Sequence, residues 1–455
     1  MTPSERRASL ALASISSLRL AGMFIVLPVL SLYAERLPGG ADHTLIGLAL
    51  GAYGLTQALM QVPFGWASDR FGRKRTIHAG LLVFAGGSFL SAWAPDIGWL
   101  VAGRVLQVAG AVSAAVIALT ADLTREEVRT RAMAIIGVTI GTTFALSMAA
   151  GPVLDRWIGV PGIFALTGVG AFGAMAVLHF AVADPPEVPA GATDRVPVLH
   201  CLADPDLLRI NVGVFVLHAV LMALFVVVPF QLRQAGLAAP EQWRVYLPVV
   251  LGSFALIVPI IAVSERRQRQ KAVFVAAVAA LWVSVVMLWA LPLSVAGVAS
   301  GLLVFFVAFN FLEASLPALV SRAAPASSKG TATGLYSSVQ FLGTFLGAAA
   351  GGWLSQHAGR GAVALACAVA VLGWLWAAVG MRVPVTRTYR FPAAMDAACT
   401  EGLIRRLGAL PGVREARVLA SGQAAQLKVD TARFDEDNAL QIIHGGTAAW
   451  LPSTK

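Results

Sequence analysis

The chain alternates long apolar runs with short polar breaks, and twelve of the runs have the length of a helical span. Their expected limits are 9–33, 43–66, 74–93, 97–120, 131–153, 162–182, 207–231, 243–263, 271–291, 295–320, 331–355 and 361–381. A helix needs about 20 mostly apolar residues to cross a bilayer, so this pattern predicts an α-helical polytopic membrane protein. The breaks carry the charge, and they carry it unevenly. Even-numbered breaks hold Arg70, Arg73, Lys74 and Arg75, then Arg125, Arg129 and Arg131, then Arg195, then Arg266, Arg267, Arg269 and Lys271, then Arg322 and Lys329. Odd-numbered breaks hold only Arg36, Arg156, Arg233, Arg244 and Arg360. Basic residues collect in cytoplasmic loops, so the even breaks and both termini are expected in the cytoplasm.

Composition agrees. The chain has 455 residues, of which 57% are hydrophobic and 13% charged, with a mean hydropathy of +0.75. A soluble domain carries about 25% charged residues. The net charge of +10 is accounted for by the cytoplasmic breaks, so nucleic acid is not an expected partner. Cys201, Cys367 and Cys399 have no metal or disulfide spacing. Arg6 and Arg7 read as anchors of an uncleaved first helix rather than of a signal peptide, because the apolar run continues to Tyr33. No GxxxxGK[ST] motif occurs, so no ATP site and no cofactor are expected.

The longest break between spans, "ADPPEVPAGATDRVPVLHCLADPD" at 183–206, is proline-rich and falls midway. It divides an N-terminal six-helix half (1–182) from a C-terminal six-helix half (207–382). The halves look related. "PFGWASDR" from Pro63 and "PIIAVSER" from Pro259 share Pro63/Pro259, Ser68/Ser264 and Arg70/Arg266, with Asp69 opposite Glu265, all offset by 196 positions. A duplicated transporter places its substrate between the halves. Residues 383–455 change character: alternating and helical runs follow in the order β-α-β-β-α, with a weak last strand near Ala448–Leu451. That order predicts a small cytoplasmic α+β domain of ferredoxin-like type.

The segment "GWASDRFGRKR" after span 2 resembles the signature of the major facilitator superfamily, which Gly65, Asp69, Arg70, Gly72, Arg73 and Lys74 match. "GRVLQVAGA" in span 4 is similar to the family's Arg-x-x-Gln-Gly pattern through Arg104 and Gln107, although the glycine is displaced to Gly110. "GVTIGTTFALSMAAGPVLD" in span 5 resembles its antiporter motif through Gly137, Gly141, Gly151 and Pro152, with Asp155 where the last glycine belongs. Together with "RLAGMFIVLPVLSLYA", "NFLEASLP" and the tail, the chain resembles bacterial YajR-type drug transporters, whose tail is called the YAM domain. The resemblance implies a multi-pass protein of the bacterial inner membrane that works by alternating access, with spans 1, 4, 7 and 10 lining a cavity. It also implies that Asp69 faces the start of span 11, near Ser328 and Gly330, and latches the cytoplasmic side in the outward-facing state.

Three charges interrupt the spans: Arg19, Arg104 and Glu313. A charge inside a span costs about 2.5–3.5 kcal/mol on insertion scales, which makes each a candidate for function. A carboxyl kept from water holds its proton more tightly, so Glu313 is a proton-coupling candidate. The alternative is a neutral Glu bonded to a neighbouring helix. We expect Arg19 to face Glu313 across the halves. Arg104 either tunes a proton site, as the resemblance implies, or bonds the backbone of a neighbouring helix. His179 and His218 read first as packing residues. Asp122, Arg129, Glu265 and Arg266 are expected in a cytoplasmic charge network. The cavity candidates are Phe24, Gln107, Asn211, His218 and Asn310, beside many Phe residues. Few polar groups and many rings suit a lipophilic substrate, a cationic one included, better than a sugar.

The expected function is a proton-coupled antiporter, not an enzyme, exporting lipophilic or drug-like small molecules. Its partners are that substrate, protons and the lipid bilayer. One alternative is metabolite uptake or facilitated diffusion. Another is a membrane sensor whose C-terminal domain binds a ligand or partner. The tail's single Cys399 lacks the Met-x-Cys-x-x-Cys spacing of heavy-metal-associated domains, so a regulatory role, a partner or self-association is expected there rather than metal.

Overall fold

A computed structural model describes residues 1–110, 112–184, 204–266, 270–324, 329–381, 385–390, 397–418, 424–429 and 433–449. The helices are α1 (Pro3–Phe24), α2 (Leu27–Ala34), α3 (His43–Phe71), α4 (Arg73–Ala92), α5 (Ile97–Ala109), α6 (Ser113–Asp122) and α7 (Glu126–Ala181). They continue with α8 (Pro205–Gln234), α9 (Trp243–Arg266), α10 (Gln270–Ala290), α11 (Val295–Ala323) and α12 (Lys329–Val379). The tail follows as β1 (Val385–Arg390), α13 (Ala397–Gly408), β2 (Val413–Val418), β3 (Ala424–Val429) and α14 (Glu436–Ala449). Seven stretches of the described residues are long and apolar enough to cross a membrane: Pro3–Ala34, Arg131–Ala181, Pro205–Gln234, Ala239–Ala262, Gln270–Ala290, Val295–Val320 and Thr331–Val379. α7 and α12 each consist of two helices meeting at a glycine, Gly159 (φ 67°) and Gly359 (φ 75°). Only glycine takes that left-handed conformation without strain.

Glycine also sets the junction after α3. Gly72 (φ 95°) caps α3 and starts α4 with no intervening loop, which explains its place in the motif. Span 4 is broken into α5 and α6 around Gly110. A Cβ on Gly110 would lie 2.1 Å from the Gly80 carbonyl oxygen, so the displaced glycine is needed where α4 and the span-4 chain cross. The N-terminal core is apolar and continuous: Leu12 and Ile15 from α1, Ile77 and Leu81 from α4, Val116 and Leu119 from α6, and Leu178 from α7.

The described chain forms two compact units. One comprises Met1–Asp194, Asn211–Ala314 and Gly334–Ala378; the other comprises Arg195–Ile210, Ser315–Thr333 and Val379–Lys455. In the second, the tail is a three-stranded antiparallel sheet of order β1-β3-β2. Leu403 and Leu407 of α13, with Ala439 and Ile443 of α14, pack with Leu427 and Val429 of β3. The element order is the expected one. The expected last strand is not seen: Ala448 and Ala449 end α14, and 450–455 lie outside the described residues. The helix wins because the alternation there is only four residues long and adjoins a ready helix.

Candidate functional site

α3 and α12, far apart in sequence, meet along a row of glycines. Gly47, Gly51 and Gly54 run down α3 against α12. A Cβ at these positions would lie 2.3 Å from the Ala348 oxygen, 2.9 Å from the Phe345 oxygen and 2.4 Å from the Phe341 oxygen. Gly352 answers from α12, where a Cβ would lie 2.4 Å from the His43 oxygen. Such spacing lets two helix backbones touch. The contact is capped at the arginine-poor end. The His43 backbone NH donates to Gln356 Oε1 at 3.0 Å, and its Nδ1 lies 3.0 Å from Ser355 Oγ. The same ring stacks on Phe230 at 4.9 Å, and Ser31 donates to the Phe225 carbonyl at 2.8 Å. At the arginine-rich end, a Cβ added at Gly65 or Gly334 would meet no described atom of another element within 4 Å. α3 and α12 are therefore in backbone contact at the arginine-poor end.

Arg233 of α8 forks onto Glu35, with Nη2 2.9 Å from Oε1, and adds a charged staple at the joined end. The hydrogen bond from Arg233 holds the Glu35 carboxyl below its ordinary range. A depressed carboxyl contributes stability above its free value and loses it as pH falls through the lowered one. Arg233→Ala should accordingly weaken end closure by only about 0.2–1 kcal/mol, because the pair is partly exposed. In the wild type the staple should hold from pH 8 down through the usual carboxylate range. Distances between spin labels across this end test it; opening of the wild type at pH 6 through this pair would be the contrary result.

Of the signature bases, Arg73 donates to Asp122 Oδ2 at 2.9 Å and to Ser68 Oγ at 3.1 Å. Lys74 donates to the Val182 carbonyl and to Asp184 Oδ1 at 2.8 and 2.9 Å. Arg70 is exposed, with its guanidinium 5.3 Å from the Trp66 ring and 5.9 Å from Phe71. The side chains of Asp69, Arg129, Glu265 and Arg266 lie outside the described residues, as does Ser328, so the expected facing of Asp69 on the start of span 11 is not described.

Glu313 sits in α11 ten residues before its end at Ala323, about 15 Å along the axis. His218 Nε2 lies 3.5 Å from its Oε2, and Gln340 Nε2 lies 3.3 Å from its Oε1 and 2.8 Å from His218 Nε2. His218 Nδ1 lies 3.1 Å from the Val214 carbonyl, which assigns the ring hydrogen to Nδ1. The lone pair of Nε2 then accepts from Gln340 and faces the carboxyl. Phe309 stands 5.8 Å from His218 and 5.9 Å from Phe144, which in turn meets Phe24 at 5.0 Å. An aromatic chain thus runs from the acidic cluster of the C-terminal half to α1.

The expected Arg19–Glu313 pairing is not present. Arg19 is buried and donates to Gln57 Oε1 at 3.2 Å and to Ser113 Oγ. Neutral acceptors nearer than the other half satisfy it. Arg104 is fully buried; Nη1 donates to Gln107 Oε1 at 2.8 Å and Nε to the Ala49 carbonyl at 3.4 Å. Gln107 donates onward to Ser88 Oγ at 2.9 Å and so extends this interior network. Asn310 donates to Ser253 Oγ at 3.0 Å, and Asn211 is buried with Oδ1 unbonded. A Cβ on Gly151 would lie 2.2 Å from the Ile25 oxygen, so α7 touches the α1–α2 break beside Pro152. Gly137 and Gly141 have nothing within 4 Å. Sequence reasoning passed over Gln340, Gln57 and Tyr53, although a glutamine or tyrosine isolated in an apolar span is itself a signal.

The Major Facilitator Superfamily profile matches residues 12–348. The chain belongs to the major facilitator superfamily. It is 41% identical over 451 residues to the inner membrane transport protein YajR of Escherichia coli (strain K12), covering 97% of this chain and 98% of that protein. An uncharacterized transporter of Buchnera aphidicola is 32% identical over 75% of this chain and 89% of its own length. Among solved structures, a bacterial homologue of the human lysosomal transporter Spinster, inward-facing and occupied, superposes with a TM-score of 0.68 at 15% identity, covering 83% of this chain and 96% of that one. A D-xylose–proton symporter does so with 0.62 at 17% identity, covering 81% and 96%. These two share the fold. A member of this family moves small molecules across a membrane and is not an enzyme.

Proposed function

We propose that this chain is a proton-coupled antiporter of the bacterial inner membrane, exporting lipophilic, drug-like molecules by alternating access. Its twelve spans form two six-helix halves with both termini in the cytoplasm. The carrying observation is the Glu313–His218–Gln340 cluster, a carboxyl and an imidazole brought together deep in a span and joined to a row of aromatic rings. The name of the Escherichia coli relative supports the membrane assignment. With its arginine-poor end on the periplasmic side, the joined end is the outer gate. Asp69 then acts when the halves rock the other way, latching the cytoplasmic side.

Purified protein in liposomes tests this. A lipophilic dye should accumulate against its own gradient when a pH gradient is imposed, and should redistribute when an ionophore collapses that gradient. Equilibration that ignores the pH gradient would mean facilitated diffusion. No movement of any of a broad panel would leave a sensor whose tail binds a partner.

A further inference from the structure

Two cations are buried in the N-terminal half with no acid beside them among the described residues. Arg19 is 3% exposed and Arg104 is 0% exposed, and neither makes an ion pair among the described residues. Arg19 has two neutral acceptors, and Arg104 Nη2 is buried with no hydrogen bond at all. Removing a guanidinium from water without a counter-charge is costly, and buried charges are ordinarily paired. Both reach the same helix, α3, about 12 Å apart along its axis. Ala49, which accepts from Arg104, and Gln57, which accepts from Arg19, lie four residues to either side of Tyr53 on α3. Four residues are about one turn and 6 Å of rise. Tyr53 packs with Leu20, Met23 and Val108 and meets the Phe341 ring edge-on at 5.7 Å. Phe341 follows Gln340, the partner of Glu313. The cations therefore flank the residue where the N-terminal half reaches the aromatic centre.

We infer that the transported molecule is an organic anion, a carboxylate or sulfonate on an aromatic body. Its charge takes Arg19 and Arg104 as counter-ions beside Tyr53, and its rings lie among Phe24, Phe144 and Phe309. This rests on the transport reading above and replaces its open substrate class with a sign of charge. Lipophilic cations are repelled from the same place, because the charges on either side of Tyr53 are both positive. Guanidinium forks match carboxylate and sulfonate geometry better than a point charge does.

Naphthylacetate, naphthylethylammonium and neutral naphthylacetamide share a ring and differ in charge. Saturable binding of each to the protein in zwitterionic nanodiscs needs no gradient and no coupling. The carboxylate should bind at least about tenfold tighter than the ammonium. Arg19→Gln should erase that preference and leave amide binding in place. The wild-type comparison stands alone if the variant does not fold. Equal or tighter ammonium binding, or a preference that survives Arg19→Gln, would overturn the inference while leaving the aromatic centre. Absence of binding by all three would overturn both. Chloride could supply the same pairing. Chloride that stabilises the wild type but not Arg19→Gln, and abolishes carboxylate binding, would make an inorganic ion the occupant and overturn the substrate assignment.

Discussion

Liposomes carrying Glu313→Gln should lose pH-driven accumulation altogether, whereas the wild type should accumulate substrate about tenfold per pH unit for each coupled proton. That figure follows from the 1.36 kcal/mol stored in one unit of gradient. The substitution is nearly isosteric. The amide oxygen can still accept from Gln340, and the amide nitrogen can still reach His218 Nε2, so the geometry of α8, α11 and α12 is retained. Only the exchangeable proton is removed. Exchange of substrate across the membrane with no gradient should persist, which separates lost coupling from lost folding. If the Gln variant still accumulates substrate in proportion to the pH gradient, the coupling proton is carried elsewhere.

Gly47→Ala should open the periplasmic gate. Alanine is the better helix former by about 1 kcal/mol, so α3 itself gains. Its Cβ, however, would lie 2.3 Å from the Ala348 backbone oxygen, which no rotamer can relieve. Overpacking of this kind costs roughly 1–3 kcal/mol, and here the cheapest relief is to part α3 from α12. The outward-facing population should rise about tenfold to a hundredfold. Spin-label distances across the outer end read this directly. Gly65→Ala is the control: with nothing within 4 Å, its methyl should leave the joined end undisturbed. Unchanged outer distances in Gly47→Ala would mean that the gate closes through other contacts.

The spans, the tail and the motif glycines could be read from the chain because each leaves a local mark: length of apolar run, period, or a turn that needs positive φ. Arg19, Arg104 and Glu313 were visible for the same reason, as lone charges in apolar helices. Their partners were not. His218 and Gln340 are separated by 122 positions and come together only through the packing of α8 on α12. A helix that is apolar on every side does not announce which face turns inward. The Arg19–Glu313 pairing failed on that point, since Gln57 and Ser113 face Arg19 within its own half. Likewise Gly137 and Gly151 share one motif, yet only Gly151 meets a neighbour's backbone.

The left-handed glycines Gly159 and Gly359 also bear on biogenesis. They stand 200 positions apart, and each joins the last two spans of its half with almost no loop. Little polar chain must then cross the bilayer at either place. Spans five and six, and again eleven and twelve, can enter the membrane as ready-made helical hairpins. A bulkier residue at either glycine should therefore register as poor membrane insertion before it registers as poor transport.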